Sequence, residues 1–199
     1  GVPAGLESLS FDCGGYWDIS ATELGDLREL YPHLGKLRRL HLHMGLIELR
    51  DIDLPELRDL EYESNGLTVE DLDHLHRAHF PHLERLILCL GATDSDYGGT
   101  VSIDDLPRVF AATNLANVRD LGLANSSYAD ELPAALADSA ILKQLRRLDL
   151  SRGTFGDEGA AALFERAGSF RHLEEIDLSH SYLSERVSKE LAQLGPKII

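Results

Sequence analysis

The feature that most constrains this chain is a six-residue pattern, Leu-x-x-Leu-x-Leu, that recurs along its length. The clearest copy spans Leu145–Leu150 and leads, through a short polar turn, into an alanine-rich segment that begins near Asp157. Alternating leucines followed by a turn and a helical pattern predict one strand–turn–helix unit. Such a unit cannot bury its apolar side alone, so its recurrence predicts that consecutive units stack on one another.

Seven segments carry the pattern, and in four of them one leucine is replaced, by Phe11, Tyr62, Val118 or Ile176. They start at residues 6, 37, 57, 83, 118, 145 and 173, at intervals from 20 residues (37 to 57) to 35 residues (83 to 118). The mean interval is about 28 residues, which is typical of repeats that each hold a strand and a helix. Lys197–Ile199 predicts the start of one more strand. The sequence therefore predicts an α/β repeat fold in a single domain over residues 1–199.

Most segments between the predicted strands carry helix signals. Thr22–Leu30 places leucines on one face of an amphipathic helix. Thr68–Asp71 has the form of a capping box, and the proline of Asp130–Pro133 suits the first turn of a helix. Asp157 and Ser184 are predicted N-caps of the last two helices.

Two repeats depart from the average length. The second repeat (residues 37–56) is short, and its alternating Leu46–Leu54 segment predicts an extended crossing without a helix. The fourth is long because a polar, glycine-rich insertion, Gly91–Thr100, follows its strand. This insertion, which contains Tyr97, and Cys13–Asp18, which contains Trp17, are the loops best placed to carry function. The alternative is that each is a cap or a tolerated insertion.

The repeats resemble those of a known family. Leu145–Leu163, with its Gly156–Leu163 helix start, resembles leucine-rich repeats of the ribonuclease-inhibitor subtype, and the likeness covers roughly Leu6–Ile199. Tyr97–Gly99 and Leu121–Ser127 are similar to segments of uncharacterised bacterial cytoplasmic leucine-rich-repeat proteins. The resemblance implies a solenoid shaped as a curved, right-handed α/β horseshoe, with a parallel sheet on its concave face and helices on its convex face. It also implies partner binding rather than catalysis.

Charge and cysteine content narrow the possible partners. Nineteen basic residues against 34 acidic residues give a net charge of −15, which repels nucleic-acid backbones and anionic membranes. A basic protein or a cation is the better electrostatic match. Cys13 and Cys89 fit no metal or redox spacing and are interpreted as reduced thiols. The longest apolar run, near Leu86–Leu90, is too short to span a bilayer, and no leader opens the chain. We therefore expect a cytoplasmic protein.

Strand alternation assigns side chains to the two faces of the predicted sheet. Positions 1, 4 and 6 of each strand point into the core, whereas positions 3, 5 and 7 point to the concave face. From the second strand onward the charge at position 3 alternates in sign, which predicts a ladder of opposite charges. The ladder fixes register, because a slip would bring like charges together. The position-3 residues are Ser8, Arg39, Asp59, Arg85, Asp120, Arg147 and Glu175.

Positions 5 and 7 divide the predicted concave face into three zones. The first is polar, the second is a small apolar patch, and the third is acidic, with His180 just beyond it. An apolar centre with a polar rim is typical of protein-binding surfaces. In chain order the zones contain Asp12, His41, His43, Glu61 and Glu63, then Ile87, Cys89, Gly122 and Ala124, and finally Asp149 and Asp177.

Two groups of histidines are candidates for metal binding. His41 and His43 point to one side of a strand beside Asp12 and Glu61, an arrangement that can bind zinc or another transition metal, or that consists of ordinary surface histidines. A second histidine group lacks the H-E-x-x-H pattern and is expected to be exposed on the convex side. No serine or cysteine occupies an elbow motif, and Cys89 is expected to be an inert thiol. The second group comprises His74, His76, His79 and His82.

The predicted function is a non-enzymatic protein–protein interaction module. We assign it no catalytic residue, no metal and no cofactor, and expect a protein or peptide, with a basic one favoured, on the concave face. Two alternatives stay open: a metal-dependent site at the His41/His43 end of the groove, and a structural array that positions a fused N-terminal domain. The predicted contact residues are His41, His43, Glu61, Glu63, Ile87, Asp149 and Asp177, with Trp17 and Tyr97 from the flanking loops.

Overall fold

The computed structural model describes residues 5–14, 22–93 and 98–199. The described strands are β1 (Ser8–Asp12), β2 (Glu23–Asp26), β3 (Arg39–His43), β4 (Leu46–Glu48), β5 (Asp59–Glu63), β6 (Arg85–Gly91), β7 (Asp120–Ser126), β8 (Arg147–Asp149), β9 (Glu175–Asp177) and β10 (Lys197–Ile198). The described α-helices are α1 (Val69–Arg77), α2 (Leu106–Phe110), α3 (Leu132–Ala137), α4 (Asp157–Glu165), α5 (Ala167–Phe170) and α6 (Glu185–Leu191). Within these ranges, no helix is both long and apolar enough to cross a membrane.

Eight of the strands form one parallel sheet. Its order, β1-β3-β5-β6-β7-β8-β9-β10, follows the order of the chain, and each neighbouring pair is parallel. All seven Leu-x-x-Leu-x-Leu segments supply strands of this sheet, and the expected further strand at Lys197 is confirmed as β10. The prediction of an α/β fold built on a large parallel sheet is therefore confirmed.

The leucines of the pattern pack between the sheet and the connections that cross behind it. From β3 to β8 the position-4 residues stand opposite one another in register, and each is at most 1% exposed. Burying one leucine side chain contributes about 1.5–3 kcal/mol, so this row alone favours the stacked arrangement strongly. The row comprises Leu40, Leu60, Leu86, Leu121 and Leu148.

Carboxylates join the starts of successive helical segments. The expected capping box of α1 is confirmed, because Thr68 Oγ1 accepts from Asp71 N while Asp71 Oδ2 accepts from Thr68 N. The start of α4 lies one residue earlier than predicted, with Gly156 as its N-cap. Asp130 Oδ1, from the preceding repeat, accepts from the Gly156 and Gly159 amides at 2.7 and 3.0 Å. A carboxylate thus satisfies two helix N–H groups that lack partners within the helix.

The predicted helix over Thr22–Leu30 is wrong. The described part of this segment holds β2, which pairs in parallel with β4 in a small second sheet. Gly25 has φ +70° in β2, and glycine inside a helix costs about 1 kcal/mol relative to alanine. The second repeat is also too short for a helix, as expected. Its extended segment Leu46–Glu48 leaves backbone N–H and C=O groups available, and these pair with β2. Pairing in β2–β4 therefore overrides the leucine spacing.

Candidate functional site

The charged residues at position 3 lie in the predicted register on the face of the large sheet opposite the leucine core, hereafter the polar face, and ion pairs within 4.0 Å join Arg85 to Asp59, Arg147 to Asp120 and Lys197 to Glu175. Arg39, Asp59, Arg85, Asp120, Arg147 and Glu175 are register partners in that order, and Lys197 extends the row. Arg85 Nη1 lies 2.6 Å from Asp59 Oδ1, and Arg85 Nη2 lies 3.1 Å from Glu61 Oε2. Burial would lower the pKa of Arg85, but these two carboxylates outweigh it and raise that pKa. The arginine therefore stays charged.

The apolar centre of the polar face is covered, which corrects the expectation of an accessible patch. Ile87 is 5% exposed, Cys89 1% and Ala124 0%. Arg152, in the turn after β8, reaches back over β7 and β6. Its Nη2 donates to Cys89 Sγ at 3.2 Å, and its Nη1 lies 3.2 Å from Glu63 Oε2 on β5. The guanidinium thus closes the middle of the face.

The Ile87 side chain packs over Gly122 on the neighbouring strand. Gly122 is its register partner, and a Cβ placed on Gly122 would lie 2.4 Å from Ile87 Cδ1. The isoleucine side chain therefore lies across the space that glycine leaves empty. The sequence pattern places Ile87 on the correct face but does not reveal this contact.

Cys89 is unsuited to nucleophilic chemistry. Burial raises the pKa of its thiol, and the nearby Glu63 carboxylate raises it further, against the opposing effect of Arg152. The thiolate is the reactive form of cysteine, so the group is held in its unreactive state. Its burial agrees with the expectation of an inert thiol.

At the N-terminal end of the polar face, the two histidines have different neighbours. His41 Nε2 lies 3.4 Å from Asp59 Oδ2. His43 Nδ1 lies 3.5 Å from Asp12 Oδ1, and its Nε2 lies 4.0 Å from Glu63 Oε1. The sheet thus pairs His41 with Glu61 and His43 with Asp12 in register, but among the described residues it does not gather the donor atoms of both histidines into one cluster.

A different set of donors meets at this end. One donor atom each from Asp12, Cys13 and His43 lies within 4.8 Å of the other two. Cys13 has no signal in the spacing of the cysteines, because it joins this set as the residue that follows position 7 of the first strand. Counting one residue past each strand end would have found it.

The acidic zone at the other end keeps its predicted residues. Asp149 and Asp177 are register partners on β8 and β9, and both are partly exposed. Each uses Oδ1 to accept from a backbone amide two residues ahead, Ser151 N and Ser179 N, both at 2.8 Å. Among the described residues, no cationic side chain lies within 4.0 Å of either carboxylate. Trp17 and Tyr97, predicted as flanking anchors, lie outside the described residues.

A cavity of about 260 Å³ lies away from the polar face, between the helix-free second repeat and α1. His74 and Asp71 border it and are 8% and 7% exposed. His76, His79 and His82 are exposed as expected, but the expectation that His74 is exposed is wrong. Because no helix covers this side of α1 in the preceding repeat, the chain of β4 folds against it and encloses His74.

The buried groups beside this cavity are strongly perturbed. Burial raises the pKa of Asp71, against hydrogen bonds from Thr68 that lower it, and raises the pKa of Tyr62 well above its usual value. His74 Nε2 and Ser64 Oγ are buried without a hydrogen-bond partner among the described residues. The sequence gives no sign of this arrangement, since it arises from a missing helix.

Comparison with known proteins identifies a solved structure with a similar fold. No protein-family model matches the chain, and no curated protein matches it. A crystal structure of a Bacteroides fragilis protein aligns with 92% of this chain at TM-score 0.84 and 28% identity, and the chain spans 52% of that protein. An internalin from Listeria monocytogenes aligns with 83% of this chain and 48% of its own chain, at TM-score 0.43 and 17% identity, too distant to support an argument. The large parallel sheet fits a leucine-rich-repeat architecture.

Proposed function

We propose that the chain is a leucine-rich-repeat solenoid of the ribonuclease-inhibitor subtype, a horseshoe with about seven repeats whose polar face is concave and binds a basic protein or peptide. Residues 1–199 form one domain in this proposal, the protein is cytoplasmic, and it has no catalytic role. The chain spans about half the length of the solved Bacteroides fragilis protein, so the proposal concerns this chain and not a whole protein of that length.

The observation that carries the proposal is the unpaired acidic zone. Arg85 and Arg152 form ion pairs with the carboxylates of β5. Asp149 and Asp177 lie on neighbouring strands with no cation within 4.0 Å among the described residues, and Arg152 attracts Asp149 only at longer range. Like charges directly opposite one another destabilise a sheet. A basic side chain from a partner would relieve that repulsion, and complementary charge also speeds association.

The predicted contact residues now separate into two groups. His41, Asp149 and Asp177 are partly exposed and remain the proposed contacts. Ile87 is buried and Glu63 is held by Arg152, so we assign these two a supporting role beneath the surface. His43 and Glu61 keep their proposed place at the edge of the contact, as do Trp17 and Tyr97.

The experiment compares charge removal on and off the polar face. A peptide-display selection on immobilised protein supplies a defined ligand. Its Kd is then measured for the Asp149→Asn/Asp177→Asn double variant and for a matched control, Glu158→Gln/Glu165→Gln, which removes two exposed carboxylates from α4. We expect the first pair to weaken binding by about tenfold or more, since each lost charge-assisted contact is worth on the order of 1.5–3 kcal/mol, and the control to change it less than about twofold.

Equal effects of the two double variants would contradict the proposal, because binding would then depend on net charge and not on the polar face. Both variants are isosteric, so their melting temperatures should stay close to that of the parent chain.

A further inference from the structure

The donor atoms at the N-terminal end of the polar face form a compact set. Asp12 and His43 are register partners at the ends of β1 and β3. Cys13 follows directly, and its N–H donates to His43 O at 3.1 Å, which continues the ladder by one residue. The Gly14 amide donates to Asp12 Oδ1 at 2.8 Å. Backbone pairing between β1 and β3 therefore fixes the relative positions of Asp12, Cys13 and His43.

His43 has the surroundings of a metal ligand. Its Nδ1 faces Asp12, while its Nε2 points toward Glu63 Oε1 at 4.0 Å. Glu63 is 18% exposed and is held in place by Arg152 at 3.2 Å. Metal-binding histidines usually present their second ring nitrogen to a carboxylate or carbonyl, which fixes the tautomer and the orientation of the ring. With Glu63 on the Nε2 side, Nδ1 is the nitrogen directed at the other donors.

The donor types select the metal. A thiolate, an imidazole and a carboxylate together suit zinc, whereas magnesium and calcium prefer oxygen donors alone. Zinc binds these groups at about 2.0–2.3 Å, so donors in a tetrahedral site lie roughly 3.4–3.6 Å apart. The Asp12–His43 separation is already 3.5 Å, and all three donors lie within 4.8 Å, so closure requires only side-chain rotation. The strongly acidic chain also favours a cation.

We propose that Asp12, Cys13 and His43 bind one zinc ion, with His43 ligating through Nδ1 and water in the fourth position. Binding releases the Cys13 thiol proton to solvent, as thiolate ligation requires. The ion ties β1 to β3 at the first strand pair of the sheet. His41, which faces Asp59, takes no part. This inference does not depend on the proposed partner-binding function.

Cobalt(II) serves as the spectroscopic probe for this site. Untagged full chain, stripped with chelator and reduced, is titrated with cobalt and then with zinc in competition with a chelating dye. We expect one ion per chain, a thiolate-to-cobalt charge-transfer band in the near ultraviolet, and visible bands of tetrahedral cobalt, all lost when zinc displaces the probe.

Single substitutions identify which side chains bind the metal ion. Cys13→Ser should abolish the charge-transfer band, and Cys13→Ser and His43→Gln should each weaken zinc binding by at least about tenfold, the smallest loss typical even of residues that merely orient a ligand. Cys89→Ser and His41→Gln are the matched controls and should leave both the band and the affinity unchanged. Circular dichroism in chelator verifies that every variant is folded before metal is added.

Three results would overturn the inference. The first is the absence of stoichiometric binding to the parent chain at micromolar metal. The second is a charge-transfer band that survives in Cys13→Ser. The third is a loss of affinity in His41→Gln equal to that in His43→Gln, which would move the site to the other histidine.

Discussion

Arg152 supports the sharpest stability prediction, because one side chain covers the centre of the polar face. Its guanidinium spans from the turn after β8 to Glu63 on β5, at 3.2 Å, and contacts Cys89 Sγ on the way. A charged hydrogen bond contributes about 1.5–3 kcal/mol, and the lower end applies because the arginine side chain is 33% exposed. The lost contact of its side chain with Cys89 adds on the order of 0.5 kcal/mol. Arg152→Ala should therefore lower the free energy of unfolding by about 2 kcal/mol.

A second substitution at position 152 separates the contribution of the side-chain contacts to stability from that of the backbone conformation. Arg152 has φ +64°, a left-handed conformation that costs a non-glycine residue about 1 kcal/mol. Arg152→Gly removes the same contacts but relieves this strain, so it should be more stable than Arg152→Ala by about 1 kcal/mol. The matched control is Arg166→Ala, which removes an exposed pair with Asp138 at 3.1 Å and should cost less than about 0.5 kcal/mol.

Urea denaturation followed by circular dichroism measures all three variants, and thiol labelling adds an independent readout. In a Cys13→Ser background, Cys89 should react slowly with a thiol reagent in the parent chain and faster once Arg152 is truncated. If Arg152→Ala costs no more than Arg166→Ala and leaves the labelling rate of Cys89 unchanged, Arg152 does not cover the centre of the polar face.

Two further predictions concern Gly122 and Asp71. Gly122→Ala would place a methyl group 2.4 Å from Ile87 Cδ1 and should cost about 1–3 kcal/mol as overpacking. Adding Ile87→Val, which removes Cδ1, should recover part of that loss in the same urea assay; a double variant no more stable than Gly122→Ala would rule out this contact as the cause. Burial raises the pKa of Asp71 above its ordinary value, so the stability that its protonated form contributes is fully present below the unfolded pKa and is lost as pH rises through the folded pKa. The stability of the parent chain relative to Asp71→Asn should therefore fall as pH rises through that window, and a difference that is flat or rises with pH would contradict the assignment.

The sheet could be predicted from sequence because its determinants are local and periodic. A strand exposes alternate residues, so the leucines of each segment fix which side faces the core. The sign alternation from Arg39 to Glu175 then fixes which residues lie opposite one another, and the observed register agrees at each step. The helix caps at Thr68 and Ser184 follow from equally local chemistry.

The errors arise where contacts come from distant parts of the chain. Arg152 reaches Cys89 on β6 from the turn after β8, where it adopts positive φ. His74 is buried because the preceding repeat lacks a helix. Thr22–Leu30 has helical leucine spacing, yet β4 supplies a strand partner for it. None of these contacts has a signature within a single repeat.

Carboxyl footprinting tests the central claim most directly. Carbodiimide-coupled labelling with an amine, read by mass spectrometry, reports the accessibility of Asp149 and Asp177 with and without the display-selected ligand, while Glu158 and Glu165 on α4 serve as internal references. We expect ligand to slow the labelling of both aspartates and to leave the labelling of the two glutamates unchanged. Unchanged labelling of Asp149 and Asp177 at saturating ligand, with protection elsewhere on the chain, would contradict the claim.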